Sequence, residues 1–297
     1  MSHTQKPTLL VTGASGKLGQ RVLELLLEAQ TGSIIATTRT PEKLAAFAAR
    51  GVTVRPADFD DPASLRQAFA GADRLLLIST DAVDGTDRRT KQHLSAIKAA
   101  SDAGVKHVIY TSLTRPEPGT PITLAPDHYA TEQALAASSL DWTVLRNNVY
   151  TDGLLQNLPR AVATGQLMAA AGAGGTGFVT REDCARAAAA VLTAETSGRR
   201  TLDVPGPAVV THSELAQIAQ EITGRPVTYV PVPAETLKAG IVASGLPGFV
   251  ADLIVSFDLA TAQDILAVAT STVQELTGRP AQSVREFLTE RRAALLN

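Results

Sequence analysis

The chain has 297 residues, 44% hydrophobic and 19% charged, with one cysteine and a formal net charge of −2. That length supplies one large or two modest domains with a substantial core, and 27 basic against 29 acidic residues disfavour a dedicated nucleic-acid binder. The lone Cys184 excludes an internal disulfide and a thiolate-rich zinc site, no apolar run approaches the roughly 20 residues that span a bilayer, and the polar start lacks a signal-peptide pattern. The expectation is a metal-free cytoplasmic protein with no membrane or nucleic-acid partner.

Thr8-Leu9-Leu10-Val11-Thr12 predicts a short buried strand, and Leu18, Val22, Leu25 and Leu26 then recur at helical spacing. Residues 33–38 predict a second strand, after which Pro41 opens a helix in its first turn, where a missing N–H costs least. The alternation continues as strand 52–55, helix 62–70, strand 74–79, helix 87–103, strand 107–112, helix 127–139 and strand 142–146. Short apolar strands separated by amphipathic helices require crossover connections. The expected fold is α/β: a Rossmann-like, doubly wound parallel sheet over residues 1–150. Residues 151–297 predict a smaller α/β substrate region on the carboxyl edge of the sheet, with the chain free to cross back.

In that second half, the glycine-rich residues 171–177 read as a hairpin or a mobile lid. Thr180-x-x-Asp183 and Thr211-x-x-Glu214 resemble capping boxes that start helices, the second with Val210 and Leu215 at staple positions. Strands are expected near 200–204 and 226–230. Residues 233–267 look helical, interrupted by Gly245, Pro247 and Gly248, and suit either a substrate pocket or ordinary core. Residues 283–295 form an amphipathic end, and Cys184 sits in an alanine-rich helix as a small core residue.

The sharpest chemical signal is Thr12-Gly13-Ala14-Ser15-Gly16-Lys17-Leu18-Gly19, between the first strand and the first helix. Gly13 permits the tight turn, Gly16 admits a close-lying pyrophosphate, and Gly19 allows tight helix–strand packing. Free N–H groups at the helix start then bind phosphate. The spacing is G-x-x-G-x-x-G, so its context, strand then turn then helix, carries the reading. An NAD-type site places an acid after the second strand; this chain has Arg39 there, with Lys43 one turn on and Lys17 in the loop. Cations suit a 2′-phosphate, which points to NADP(H). Asp58 and Phe59 would flank the adenine, and Ser79 and Thr80 the ribose and nicotinamide.

Alcohol dehydrogenation on this fold commonly uses a tyrosine with a lysine four residues on. Here Tyr129 is followed by Gln133, so a strong phenolate base is not expected. Hydride transfer to an acceptor that tolerates negative charge needs less, and a quinone or similar aromatic fits. His128 and Tyr129 are the candidate proton donors, with Ser112 as a further hydroxyl. Asn147 and Asn148 offer the donor and acceptor that a carboxamide needs.

Val11–Gly19, Arg39, Ala57-Asp58-Phe59, Leu75–Ser79 and Ala103–His107, with His128-x-x-Thr131-Glu132, Leu145-Arg146-Asn147-x-x-Tyr150 and Thr180-Arg181-x-x-Cys184-Ala185, resemble the NmrA-like atypical short-chain dehydrogenases. Within them, the likeness is to the subgroup of quinone and triphenylmethane reductases, over almost the whole chain. The resemblance implies a Rossmann domain with a small carboxyl domain, and NADPH held by Gly13 to Gly19 (with Ser15, Gly16, Lys17 and Leu18) and by Arg39. It places the nicotinamide near Ser79, Thr80 and Asn147, and adds contacts from Gln92, His93, Thr180 and Arg181. His128 would face the substrate space and Tyr150 would form its wall; a homodimer is compatible. The loop after Thr80 departs from the relatives, carrying Asp81, Asp84 and Asp87, which a cationic dye would tolerate better than an anion. Two other readings stay open: a non-catalytic NADP(H) sensor acting through a protein partner, and an epimerase-like activity, against which the missing Tyr-x-x-x-Lys argues.

Overall fold

The computed structural model describes residues 6–195 and 197–296. Leu9–Val11, apolar at every position, forms β1, and its residues are buried on both faces as in a parallel sheet covered by helices. Helix α1 (Lys17–Glu28) follows, packing Leu18, Val22, Leu23 and Leu26 inward. Leu25, expected in that stripe, is only half-buried and Leu23 replaces it. The reason is Gly19, whose bare face draws that side of the helix inward. Next come β2 (Ile34–Thr38), a short turn opened by Pro41 that runs into α2 (Ala45–Ala48), β3 (Thr53–Pro56) and α3 (Pro62–Phe69). The Asp61 carboxylate caps α3 by accepting from the Ala63 N–H. Then follow β4 (Arg74–Leu77), α4 (Arg88–Asp102), β5 (His107–Leu113), α5 (Ala125–Ala137) and β6 (Asp141–Asn147).

The remaining elements are α6 (Leu158–Thr164), β7 (Gln166–Ala169), β8 (Gly175–Thr176), α7 (Arg181–Thr193), β9 (Arg199–Val204), β10 (Val210–Thr211), α8 (His212–Thr223) and β11 (Thr228–Pro231). Five helices close the chain: α9 (Ala234–Ala243), α10 (Gly248–Ala262), α11 (Thr272–Thr277), α12 (Val284–Glu290) and α13 (Arg292–Leu296). The main sheet has seven strands in the order β3-β2-β1-β4-β5-β6-β9. Its β1–β2, β1–β4, β2–β3 and β4–β5 pairs are all parallel. This is the Rossmann-like doubly wound α/β fold that the sequence predicts. Its core gathers Leu10, Phe69, Leu75, Leu77, Val108 and Tyr110. Each such apolar side chain contributes roughly 1.5–3 kcal/mol through burial.

Two compact units divide the chain. The first runs to Ser112 and adds Asp127–Arg146 and Cys184–Leu202; the second takes Leu113–Pro126, Asn147–Asp183 and the chain from Asp203 onward. In the second unit, β7 pairs with β11 in parallel and β8 with β10 antiparallel. Leu158, Leu215, Ala219, Phe287 and Leu288 form its largest core. Full capping boxes start α8 (Thr211 with Glu214) and α12 (Ser283 with Glu286). The expected box at Thr180 is only half made: Asp183 N–H donates to Thr180 Oγ1 at 3.0 Å, but the Asp183 carboxylate accepts from the Thr180 hydroxyl and from Gln282 N–H.

The glycine-rich stretch corrects a second expectation. It is neither a hairpin nor a lid, because β8 pairs with the distant β10. A Cβ at Gly174 or Gly177 would lie 1.8 Å from the carbonyl oxygen of Thr261 or Val268, so these glycines exist for backbone-to-backbone packing. Residues 233–267 split into α9 and α10 at Gly245 and Pro247, as expected. Helix α10 feeds Ala260 into a core with Leu113, Ile122 and Leu266, whereas α9 buries no residue. Among the described residues, no helix is long and apolar enough to cross a membrane.

Candidate active site

The groove begins where β1 ends. Gly13 adopts φ +57°, a left-handed conformation that only glycine takes freely. A Cβ on Gly19 would meet Gly13 O at 2.5 Å and Ala14 Cα at 2.7 Å. Gly19 thus seats α1 on its own loop, where strand packing had been expected. Gly16 caps α1 with no side-chain hydrogen bond, and no acid lies in the first turn. The N–H groups of Lys17, Leu18 and Gly19 therefore have no intrahelical acceptor and stand at the positive end of the helix dipole. What Lys17 and Leu18 offer is backbone: the Lys17 side chain is exposed, and Leu18 is buried.

The cavity beside this loop measures about 410 Å³, within the usual range for small-molecule sites. Gly13, Ser15 and Gly16 line it from the loop, and Thr37, Thr38, Arg39 and Lys43 from the end of β2. Ala57, Asp58 and Phe59 follow β3, and Ile78, Ser79, Thr80 and Asp81 follow β4, with Gln92 from α4. Lys17, Leu18, Gly19 and His93 are not among its walls. Two buried oxygens of lining residues, Thr37 Oγ1 and Gln92 Oε1, have no hydrogen-bond partner among the described residues. Buried orphans of this kind are rare in finished sites. With the uncapped helix start and two cations at the end of β2, they fit a phosphate-bearing dinucleotide.

The acids after Thr80, read from the sequence as favouring a cationic dye, are each paired with a cation. Asp81 faces Arg39 at 3.5 Å, Asp84 pairs with Arg88 at 3.8 Å and Asp87 with Lys91 at 2.8 Å. Arg88 also grips Asp60, which accepts from Gln92 Nε2 at 3.0 Å; the Arg88 and Gln92 hydrogen bonds hold the Asp60 carboxyl below its ordinary range.

Strand β4 stops at Leu77, short of the expected residue 79, because side chains take the next three backbone donors. Ile78 N–H donates to Thr12 Oγ1, Ser79 N–H to Thr111 Oγ1, both at 2.9 Å, and Thr80 N–H to His93 Nε2 at 3.0 Å. These bonds turn the segment from sheet edge into groove wall.

Behind Thr80 lies a buried network whose tautomers follow from its donors. Thr131 Oγ1 donates to Asp127 O, so it accepts from His93 Nδ1–H at 2.9 Å, leaving His93 Nε2 as the acceptor for Thr80. Arg89 donates to the Thr80 carbonyl and, at 3.1 Å, to His128 Nε2. The His128 proton therefore sits on Nδ1 and is donated to the Tyr110 hydroxyl at 2.8 Å. Burial, then the Arg89 charge, pushes His93 down to about 3 and His128 well below the usual imidazole range. Burial drives the Tyr110 phenol upward. Arg89 is 5% exposed, has no carboxylate in ion-pair range among the described residues, and leaves its Nε–H unpaired. Burial lowers its affinity for the proton.

Sequence reasoning missed Arg89 and Tyr110, and gave Thr131 only as part of a motif with His128. The available signal was helical spacing: Arg89 shares the stripe of His93, Ala96 and Ala100 on α4. His128, expected beside the substrate as a donor, has a ring 4% exposed with both nitrogens engaged. Tyr129 is half-buried, and its hydroxyl has no partner among the described residues. The Ser112 hydroxyl donates to Glu132 at 2.6 Å, and Glu132 in turn pairs with Arg146.

Asn147, Tyr150, Thr180 and Arg181 belong to the second unit. Asn147 Nδ2 donates to the Tyr150 hydroxyl at 3.3 Å, while its Oδ1 is buried without a partner among the described residues. Asn148 is fully used, donating to Leu266 O and accepting from Val149 N–H. Arg181 pairs with Asp152 at 2.7 Å and lies over the Tyr150 ring. The Thr180 hydroxyl is taken by Asp183.

A parallel sheet in this order, a glycine loop opening an uncapped helix and a cation at the end of β2 define a dinucleotide-binding α/β protein. A family model described as NAD(P)H-binding matches residues 13–195. The chain belongs to that NAD(P)H-binding family. It is 36% identical to quinone oxidoreductase 2 of Escherichia coli over 94% of this chain and 96% of that one. The crystal structure of that enzyme with NADPH superposes with a TM-score of 0.90 at 35% identity, covering 97% of this chain and 100% of that one. Citrobacter sp. triphenylmethane reductase with NADP(H) gives 0.88 at 36% identity, over 95% and 99% of the two chains. An NAD(P)H azoreductase of Xenophilus azovorans is 28% identical over 96% of this chain and 98% of its own.

Proposed function

We propose that this NAD(P)H-dependent oxidoreductase passes a hydride from NADPH to a quinone or a related electrophilic dye. The observation that carries the reading is the character of the network behind Thr80: a buried guanidinium, two neutral histidines and a phenol held protonated. It contains no base fit to take a proton from an alcohol and no acid fit to give one near neutral pH. It contains a cation, which favours an acceptor that gains negative charge. The acceptors named for the three relatives, a quinone, an azo compound and a triphenylmethane dye, all take up a hydride without a base; the first two gain negative charge in doing so, and the cationic dye is neutralised.

Bound NADPH supplies the hydride. The N–H groups of Lys17, Leu18 and Gly19 would hold its pyrophosphate, Arg39 and Lys43 its 2′-phosphate, and Asp58 and Phe59 its adenine. Arg89 fixes Thr80, whose carbonyl and N–H are both tied from behind, so this wall of the groove is rigid. His128 is a positioning residue in this reading: it orients Arg89, and solvent protonates the reduced acceptor.

The test is NADPH oxidation against a panel of quinones, triphenylmethane dyes and azo compounds. Turnover with at least one class is expected. Tight NADPH binding with no turnover above background would overturn the proposal and favour a nucleotide-sensing regulator.

A further inference from the structure

We infer that Asp81 is a cofactor-specificity residue: it competes with the 2′-phosphate of NADPH for the guanidinium of Arg39. Both residues line the same groove, and they meet at 3.5 Å. Strands β2 and β4 flank β1 in the sheet, so the loops that carry Arg39 and Asp81 lie on either side of the glycine loop. The ion pair thus joins the two loops that border the phosphate-binding turn. Among the described residues, no other carboxylate is in ion-pair range of Arg39. Asp60 is within its field, but Arg88 and Gln92 already hold that carboxyl. Lys43, the second cation of the groove, has no ion-pair partner among the described residues.

The pair is loose, with side-chain exposures of 58% for Arg39 and 87% for Asp81. Exposed pairs are weak and screened by salt, so a dianionic phosphate outcompetes a single carboxylate. The contest still has a cost, borne only by a cofactor that carries the 2′-phosphate. NADH leaves Arg39 with Asp81; NADPH must separate them and accept a carboxylate nearby. Asp81 therefore narrows the preference that Arg39 creates.

The experiment is equilibrium titration of the full chain with NADPH and with NADH, at low and high salt, for wild type, Asp81→Asn, Arg39→Ala and the double variant. Asp81→Asn should tighten NADPH about threefold to fivefold at low salt, the range that loss of an exposed ion pair allows, and change NADH by less than about twofold. High salt should shrink the gain. In the Arg39→Ala background the gain on NADPH should fall by at least half, because no guanidinium remains to be released. Equal tightening of NADPH and NADH would overturn the inference, since Asp81 would then act only as a general negative charge near the pyrophosphate. An unchanged NADPH affinity in Asp81→Asn would overturn it as well. If Arg39→Ala leaves NADPH affinity intact, Arg39 does not meet the 2′-phosphate and the inference falls at its first premise. Asp81 is exposed, so folding of Asp81→Asn, checked by thermal melting, is not at stake.

Discussion

Arg89 donates to His128 Nε2 across 3.1 Å, and this one bond fixes the protonation state of both partners. A guanidinium can only donate, so the imidazole must be neutral on that side, and burial beside a cation keeps it neutral. A buried cation facing a neutral ring is a costly arrangement, and a reaction that develops negative charge gives it a use.

His128 should therefore not titrate between about pH 6 and 8, the window in which an unperturbed histidine changes charge. Turnover should be free of a histidine inflection over that range, and the His128→Gln variant should keep the same profile shape with a lower kcat. Imidazole NMR resonances followed through the same range check the protonation state directly. An inflection that disappears in His128→Gln would identify the ring as the proton donor after all.

Arg89→Met separates an electrostatic role from a structural one. Replacing a buried charge by an apolar chain of similar length often leaves stability nearly unchanged, here within about 2 kcal/mol by urea unfolding. Loss of the charge should lower kcat by about tenfold to a hundredfold while NADPH affinity stays close to wild type. Parallel loss of stability, binding and rate would mean that Arg89 only holds the wall together.

Stability should fall on the acid side. His93 has a folded value of about 3, below the unfolded value of 6.5, so between these the unfolded chain binds the extra proton and stability rises with pH. The contribution is complete above the unfolded value and is lost as pH falls. From about pH 6.5 to 5 it amounts to roughly 2 kcal/mol for this one ring. Asp258 acts in the opposite sense: burial raises it from 3.8 to about 6, so its contribution declines as pH rises through that range. Urea unfolding at about pH 7 and 5 should show a smaller acid loss in His93→Gln than in wild type, by roughly that 2 kcal/mol. Equal losses would mean that His93 titrates normally.

Gly19→Ala places a methyl group 2.5 Å from Gly13 O and 2.7 Å from Ala14 Cα, and this backbone cannot swing aside as a side chain could. The loop must move, at a cost of about 1–3 kcal/mol, and NADPH affinity should fall at least about tenfold. Gly153→Ala, which meets open space, is the matched control and should change neither melting temperature nor affinity.

The alternation of strand and helix was legible because hydrophobic period marks it directly, and the glycine loop was legible because its context is local. Burial of one charged residue beside another was not. Arg88 and Arg89 are identical in sequence, yet Arg88 pairs with Asp60 at the surface while Arg89 lies in the core. Only the three-dimensional packing of α4 against β5 and α5 separates them, with His93, Tyr110 and His128 as the contacts. The 171–177 glycines misled for a related reason. Glycine signals a turn and a close backbone approach equally, and the partners, Thr261 and Val268, are some 90 residues away. The early end of β4 was hidden because Thr12, Thr111 and His93 take its donors from three separate elements.

Hydride passes directly from NADPH to an electrophilic acceptor in this proposal, without a protein acid. The most direct measurement uses a triphenylmethane dye and NADPH deuterated on the transferring face of its nicotinamide. The label should arrive on the central carbon of the reduced dye, with a primary isotope effect of the same size on either side of neutrality. Reduced dye without the label, or no reduction of any acceptor despite saturated NADPH binding, would contradict it.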